Sequence, residues 1–411
     1  MRIFWALVCF LAAMTLTITD AQAQISPQTS EVSPSLVPTA AKVAPSYDKE
    51  LVRVRIATLS KRVQVAGLGL RFQILSQPYR HVAIPEMGPG TAEVRVMKKN
   101  GKNIWALRLK GRDSEHLFKE KYLMIQGENL RVGAQSLPSR ILLSAGSGNQ
   151  VDVVGVLPLD EYIAGVISSE MPINWPIETL KAQAVAARSY ALSVMEERSD
   201  KPYHLESSVL DQVFRHIADG DESDPKLQKA LKAVRDTAGI KLFSAKGHDV
   251  LKAYYHADCG GHTTLAKNVW SGGVNSGVAV DSSCPTNPKA NWTVKLTRAE
   301  IAEKLQMSDV TKITLDRANN ETRVRGVRVA LNETEQRYIS ANEFRQALGF
   351  SELRSTLFEM KQQGDEFTFT GRGFGHGVGL CQWGSRAMGL KGQNFVQILK
   401  HYYPAARIAR N

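Results

Sequence analysis

Glu170 lies in a Ser-Glu-Met-Pro run, with Met171 and Pro172 after it and Trp175 and Pro176 close behind. A carboxylate beside a Trp and two prolines loses part of its hydration. That raises its pKa and lets it carry a proton near neutrality. The bland alternative is that Glu170 only caps the helix that follows. A second set of chemically capable residues sits in KAYYHADCGGHTT, where His256, Cys259 and His262 fall three residues apart, with Cys284 further on. Two His and two Cys could ligate zinc. The set lacks a paired Cys-x-x-Cys, however, and the chain opens on an export signal, so a disulfide between Cys259 and Cys284 is the preferred reading and no metal is assigned. Cys381 is then left as a buried thiol. A third set follows Gly371, Gly373, Gly375, Gly377 and Gly379, which recur at a period of two. Read as an extended stretch, this leaves one face without side chains, open to another backbone or a ligand. Arg372, Phe374, His376 and Val378 project from it, and Gln382 and Trp383 start a helix. Arg, His, Gln and Trp beside bare backbone suit a polymer or sugar site, although a His among glycines also serves as a structural hydrogen-bonder. The dinucleotide and phosphate-loop spacings are absent, and no cofactor is suggested.

The elements that must position these residues are legible around Glu170. The stretch from Gly155 to Leu192 reads as two helices meeting at a Pro-broken corner. Leu157, Tyr162, Ile163, Val166 and Ile167 mark the apolar face of the first, which should stop before Pro172. Pro176 sits near the first turn of the second, which continues past Leu180, Ala184, Ala187 and Ala191. A polar stretch holding Glu206, Asp211, Gln212 and His216 follows. A helix is expected from Pro225 to Thr237, with Gly239 closing it. Two strands should come next, the second ending in KAYYHADCGGHTT. Strands are expected at Ile313–Asp316 and Val324–Leu331, and a helix at Ala341–Leu348. Ahead of the corner, Val52, Val54 and Ile56, then Val94 and Val96, then Trp105, Leu107 and Leu109 alternate with polar residues. This predicts an antiparallel β-rich module over residues 49–150 with no evident catalytic set.

The chain has 411 residues. An apolar run from Ile3 to Leu16, then Ala21-Gln22-Ala23, reads as a secretory signal peptide over residues 1–23, too short for a stable membrane span. Residues 24–48, rich in Ser, Thr, Pro and Ala without periodicity, read as a flexible linker. The mature protein is therefore expected to be exported, to the periplasm or cell envelope, with no integral membrane segment after cleavage. The formal charge of +12 favours an anionic partner such as an envelope polymer. No nucleic-acid motif accompanies it.

From Gly155 to Pro404 the chain resembles the SpoIID/LytB family, the stage II sporulation protein D and amidase enhancer group. The matching blocks are LPLDEYIAGVISSEMPINWPIETLKAQAVAARSYAL, DQVF, AYYHADCGGHTT with a following VW, and GRGFGHGVGLCQWGSRAMG with a closing ILKHYYP. The resemblance implies that Glu170 is the active glutamate, that Arg188 in AARSY is a cleft residue, and that residues 151–411 form the catalytic domain. It implies lytic transglycosylation of peptidoglycan glycan strands after N-acetylmuramic acid, on glycan already stripped of stem peptides. A cell-wall amidase is a further implied partner. Zinc-bearing members place two Cys and two His ahead of the DQVF position. Here that stretch has no Cys and only His204 nearby, so His256, Cys259, His262 and Cys284 remain the place to look for a metal. A hydrolase normally needs two carboxyls, whereas a transglycosylase can manage with one. The alternative role is a non-catalytic glycan binder that enhances an amidase. The expected fold is α+β, antiparallel sheets with packed helices, preceded by the β-rich module.

Overall fold

The computed structural model describes residues 51–410 apart from 61, 76–80, 88–89, 112–114, 147–149, 217–224, 246, 271–276, 282–286 and 318–320. The signal peptide, the linker and Cys284 lie outside the described residues. Alternating apolar residues build a large sheet from β1 (Leu51–Ser60), β2 (Arg62–Leu75), β3 (His81–Met87), β4 (Gly90–Lys99), β5 (Lys102–Leu109), β6 (Glu115–Phe118), β7 (Tyr122–Val132), β8 (Gln135–Ser136), β9 (Arg140–Ala145) and β10 (Gln150–Pro158). Then come α1 (Leu159–Glu170), α2 (Ile177–Glu197), β11 (Leu205–Glu206), α3 (Pro225–Asp236), β12 (Ile240–Phe243) and β13 (Tyr255–His256). The next segment holds β14 (Asn291–Thr297), α4 (Arg298–Leu305), β15 (Lys312–Arg317), β16 (Val324–Ala330), β17 (Gln336–Ser340), α5 (Ala341–Leu348), β18 (Phe358–Gln363) and β19 (Glu366–Arg372). The chain closes with β20 (Leu380–Cys381), α6 (Gln382–Leu390), α7 (Phe395–Tyr402) and β21 (Arg407–Arg410). This is the expected α+β architecture.

The large sheet runs β11-β1-β10-β9-β7-β2-β4-β5-β6, with β3 along β2 and β8 along β7. Its pairs are antiparallel except β1 with β11, which is parallel. Val94, Trp105, Leu107, Val151 and Val153 pack together on one face as the core of this module. β10 is buried from Val151 to Leu157 because both its faces are covered, and Val154 and Val156 pack on Leu75 and Leu142 instead. The sheet thus crosses the 150/151 division, and β10 runs directly into α1. Leu157, read as the start of the first helix, is a strand residue.

α2 is the centre of the second half. Leu180, Ala184, Ala187 and Ala191 pack with α1 and α3, while Ala182, Val185 and Ala186 pack with α6 and α7. Only the first of these faces was apparent in the spacing. A helix with two opposite apolar faces must be covered on both, and its many alanines let neighbours approach closely. Sheets β14-β19-β18 and β15-β16-β17 enclose a separate core around Phe344, Phe367 and Phe369, with α4 and α5 each started by a capping box.

The glycine stretch differs from the expected extended strand. β19 ends at Arg372, and Gly373, Gly375, Gly377 and Gly379 all take positive φ, between 71° and 112°. Left-handed backbone at every second residue turns the chain repeatedly, so these glycines serve conformation rather than one bare face.

Candidate active site around Glu170

Glu170 is the last residue of α1. The neighbouring serines close the helix end, Ser168 Oγ donating to Ala164 O and Ser169 Oγ to Gly165 O. The carboxylate does not cap α2, which starts at Pro176 without any side-chain cap. Instead Oε1 accepts the Val213 backbone N–H at 2.7 Å and the Tyr255 hydroxyl at 3.5 Å. Gly165, one turn earlier, makes this approach feasible: a Cβ there would lie 2.6 Å from both Arg215 O and the Phe214 ring. A side chain at 165 would push Val213 away from Glu170.

The polar DQVF segment therefore supplies the site's supports. Asp211 accepts from Arg198 (2.8 Å), the Tyr190 hydroxyl (3.1 Å) and the Glu206 N–H (2.9 Å), which fixes the loop. Gln212, fully buried, accepts the Tyr162 hydroxyl at 2.9 Å and donates to Ala187 O at 3.3 Å. It also bonds Tyr255, whose hydroxyl is thereby held between Gln212 and Glu170. Tyr255 and Gln212 are the residues that spacing arguments missed. The signal available was the recurrence of both within matched blocks, without any chemistry of their own.

Burial raises the Glu170 pKa, and the Val213 N–H and Tyr255 hydroxyl, which favour the charged form, pull part of it back. The C-terminal end of a helix, carrying partial negative charge, is a further disfavoured place for a carboxylate. Removing a group that favours the anion must raise the pKa further. Tyr255→Phe should accordingly shift the descending limb of a pH–activity profile upward. A downward or absent shift would show that Tyr255 does not act on Glu170.

The corner is held by aromatic and cationic contacts. Trp175 meets Trp383 edge-on, with ring centroids 5.2 Å apart, and the Arg386 guanidinium lies over both rings. Lys229 Nζ donates to Trp175 O at 2.6 Å. His376 packs against Tyr254, His256 and Trp270. Its Nδ1 accepts the Val378 N–H at 3.0 Å, and burial, His256 and two arginines hold its pKa well below the usual histidine range. Gln382 is buried at the start of α6, and its Nε2 has no hydrogen-bond partner among the described residues.

Arg188 occupies a different place from the cleft position expected of it. Its guanidinium is buried, donating to Thr237 O (2.9 Å) and Val234 O (3.3 Å) at the end of α3 and to Asp160 (3.2 Å) on α1. These are the last carbonyls of one helix and the first turn of another, a cation's favoured and an anion's favoured end respectively. Arg188→Ala should cost about 2–4 kcal/mol of stability, measured by urea unfolding, by leaving those carbonyls and Asp160 without it. A neutral change would argue against this clamp.

The sulfur and imidazole groups also regroup. His262 Nε2 bonds Thr322 Oγ1 at 2.8 Å, while the cluster of ligand-type atoms among the described residues is His256, Cys259 and Cys381. Cys381, expected to stand apart, is inside it. His204 Nδ1 accepts the Arg53 N–H at 3.1 Å, and burial with Arg53 and Arg198 lowers its pKa to about 4. No helix among the described residues is long and apolar enough to cross a membrane.

Glu170, α1, α2 and the DQVF segment fall inside a region recognised in known proteins. The family profile described as stage II sporulation protein matches residues 147–243, and a domain of unknown function matches 282–379. Stage II sporulation protein D of Bacillus subtilis (strain 168) is 32% identical over 263 residues, covering 62% of this chain and 75% of that protein. The protein of the same name from Bacillus amyloliquefaciens is 30% identical over 263 residues, covering 62% and 74%. The amidase enhancer of Bacillus subtilis (strain 168) is 26% identical over 300 residues, covering 60% of this chain but 40% of that protein. With 32% identity over three quarters of stage II sporulation protein D, and the family profile matched over the Glu170 corner, the chain belongs to the SpoIID/LytB family.

Proposed function

We propose that this protein is a peptidoglycan lytic transglycosylase of the cell envelope that uses Glu170 as its single acid–base group. The observation that carries the reading is the setting of Glu170: a desolvated carboxyl with a raised pKa, anchored on one oxygen by Val213 and Tyr255. Both hydrogen bonds fall on Oε1, which leaves Oε2 to carry the proton. Among the described residues, burial and those two hydrogen bonds are the causes of the shift. A mechanism that works through Glu170 alone suits transglycosylation, which can manage with one carboxyl where hydrolysis normally needs two.

In this reading protonated Glu170 gives its proton to the glycosidic oxygen after N-acetylmuramic acid as the C1–O bond breaks. The resulting carboxylate takes the proton of the muramic C6 hydroxyl while that oxygen closes onto C1. The product is a 1,6-anhydro end, no water is consumed, and Glu170 returns to its protonated form. The Val213 N–H and Tyr255 hydroxyl stabilise the carboxylate in between. Gln382, next to Trp383 of the Trp175–Trp383 pair, and His376, in the aromatic cluster of Tyr254 and Trp270, are the residues assigned to lie along the glycan. Arg188 contributes by holding α1 against α3.

Digestion of purified peptidoglycan, intact and amidase-stripped, tests this. Anhydro-muramic ends from the stripped glycan are expected. Products heavier by one water would establish hydrolysis instead. Binding without cleavage, together with stimulation of an added amidase, would make the protein an enhancer, as one relative is named.

A further inference from the structure

His256, Cys259 and Cys381 come from two segments of chain that the fold brings to one buried point. β13 pairs in parallel with β20 so that His256 stands opposite Cys381. Cys259 follows on a turn fixed by Asp258, whose Oδ1 accepts the Gly260 N–H at 2.7 Å. The three ligand atoms lie within 4.8 Å of one another, and all three residues are buried. We propose that these residues bind one zinc-class cation, with the carboxylate of Asp281 as the fourth ligand.

The geometry around each donor favours a cation over other uses of the cluster. Metal–sulfur bonds near 2.3 Å and metal–nitrogen or –oxygen bonds near 2.0 Å give tetrahedral edges of roughly 3.4–3.8 Å. Asp281 Oδ2 is 3.6 Å from Cys259 Sγ, the length of one such edge. The imidazole is oriented by Nδ1, which lies 3.1 Å from Val378 O; as the N–H donor there it puts the ring lone pair on Nε2. A backbone carbonyl on the second ring nitrogen is the usual support of a metal-bound His. Cys381 Sγ accepts the Cys259 N–H at 3.3 Å and the Gly384 N–H at 3.4 Å, at the first turn of α6. Two N–H donors and a helix start stabilise a thiolate, the form that ligates metal. Asp281 is itself held by the Tyr402 hydroxyl at 2.5 Å. A disulfide between two of these sulfurs would need neither the N–H donors nor a carboxylate beside it.

Four protein ligands make a closed, structural site. Tyr255 precedes His256, so the cation would pin the strand that carries the Tyr255 hydroxyl to Glu170.

Elemental analysis of the untagged full-length protein, with a thiol count, tests this. One zinc per chain is expected. Cobalt exchanged for it should give the thiolate charge-transfer and tetrahedral d–d absorption bands. Cys381→Ser and Cys259→Ser should each lose the metal. Because either variant could fail to fold, chelation of the wild type is the parallel test: it should lower Tm, and stoichiometric zinc should restore it. Absence of metal with a Tm indifferent to zinc would overturn the site, as would a Cys259–Cys381 disulfide in non-reducing peptide maps. Zinc retained by both folded variants would overturn it too.

Discussion

Glu170→Gln is expected to yield a folded protein that still binds glycan and releases no detectable anhydro-muramic ends. A positioned acid–base group is worth roughly 10²–10⁴-fold in rate, and here one group performs both proton transfers, so the loss should sit at the upper end. The amide keeps an oxygen to accept the Val213 N–H and loses only the proton. Stability should move the other way. A carboxyl whose pKa is raised on folding binds its proton more tightly in the native state. Its contribution is full below the ordinary glutamate value and is lost as pH rises through the native one. Above that window the wild type carries a desolvated charge that the Gln variant lacks. The variant should therefore gain in Tm relative to wild type as pH rises. Residual cleavage near wild-type level would remove Glu170 from the chemistry, and a Tm difference that shrinks with pH would contradict its desolvation.

How much of this was open to reading depended on the range of the interaction. The corner was legible because it is local: an apolar face at helical spacing ends at Pro172 and another begins after Pro176. Both helices appear there, with Glu170 at the junction. The strands over Val52–Ile56, Val94–Val96 and Trp105–Leu109 were equally plain, since a half-buried strand imposes alternation on its own residues. What supports Glu170 was not local. Val213 contributes only a backbone N–H, which leaves no mark in residue type, and Tyr255 lies 85 positions away. Arg188 was misplaced for a related reason: nothing in AARSY distinguishes an arginine aimed at substrate from one that ends a helix 46–49 positions later. The period of two in the glycine stretch was real, but alternation serves a strand with one bare face and a chain turning at every second residue alike. Only the φ angles separate them.

The same stretch carries the largest expected loss of stability. Gly379 has φ of 71°, and a Cβ there would lie 2.0 Å from the Tyr254 carbonyl oxygen and 2.9 Å from the Tyr403 ring. A left-handed φ costs an alanine about 1–2 kcal/mol. The contact with Tyr254 adds more, because that oxygen cannot swing aside. It accepts from the Leu380 N–H at 3.2 Å and the Tyr403 hydroxyl at 2.6 Å, and β13 begins at the next residue. Gly379→Ala should therefore cost more than about 3 kcal/mol, in the class of disruptive single substitutions. Gly392 isolates the cause. It also has positive φ, 81°, yet nothing lies within 4 Å of its would-be Cβ, so Gly392→Ala should cost only about 1–2 kcal/mol. Urea unfolding of the two variants measures the difference, and equal losses would show that backbone strain alone acts at both sites. Any relief available to Gly379→Ala moves Tyr254, and with it Tyr255 away from Glu170. The surviving folded fraction should then also lose glycan cleavage per molecule, an effect Gly392→Ala has no route to produce.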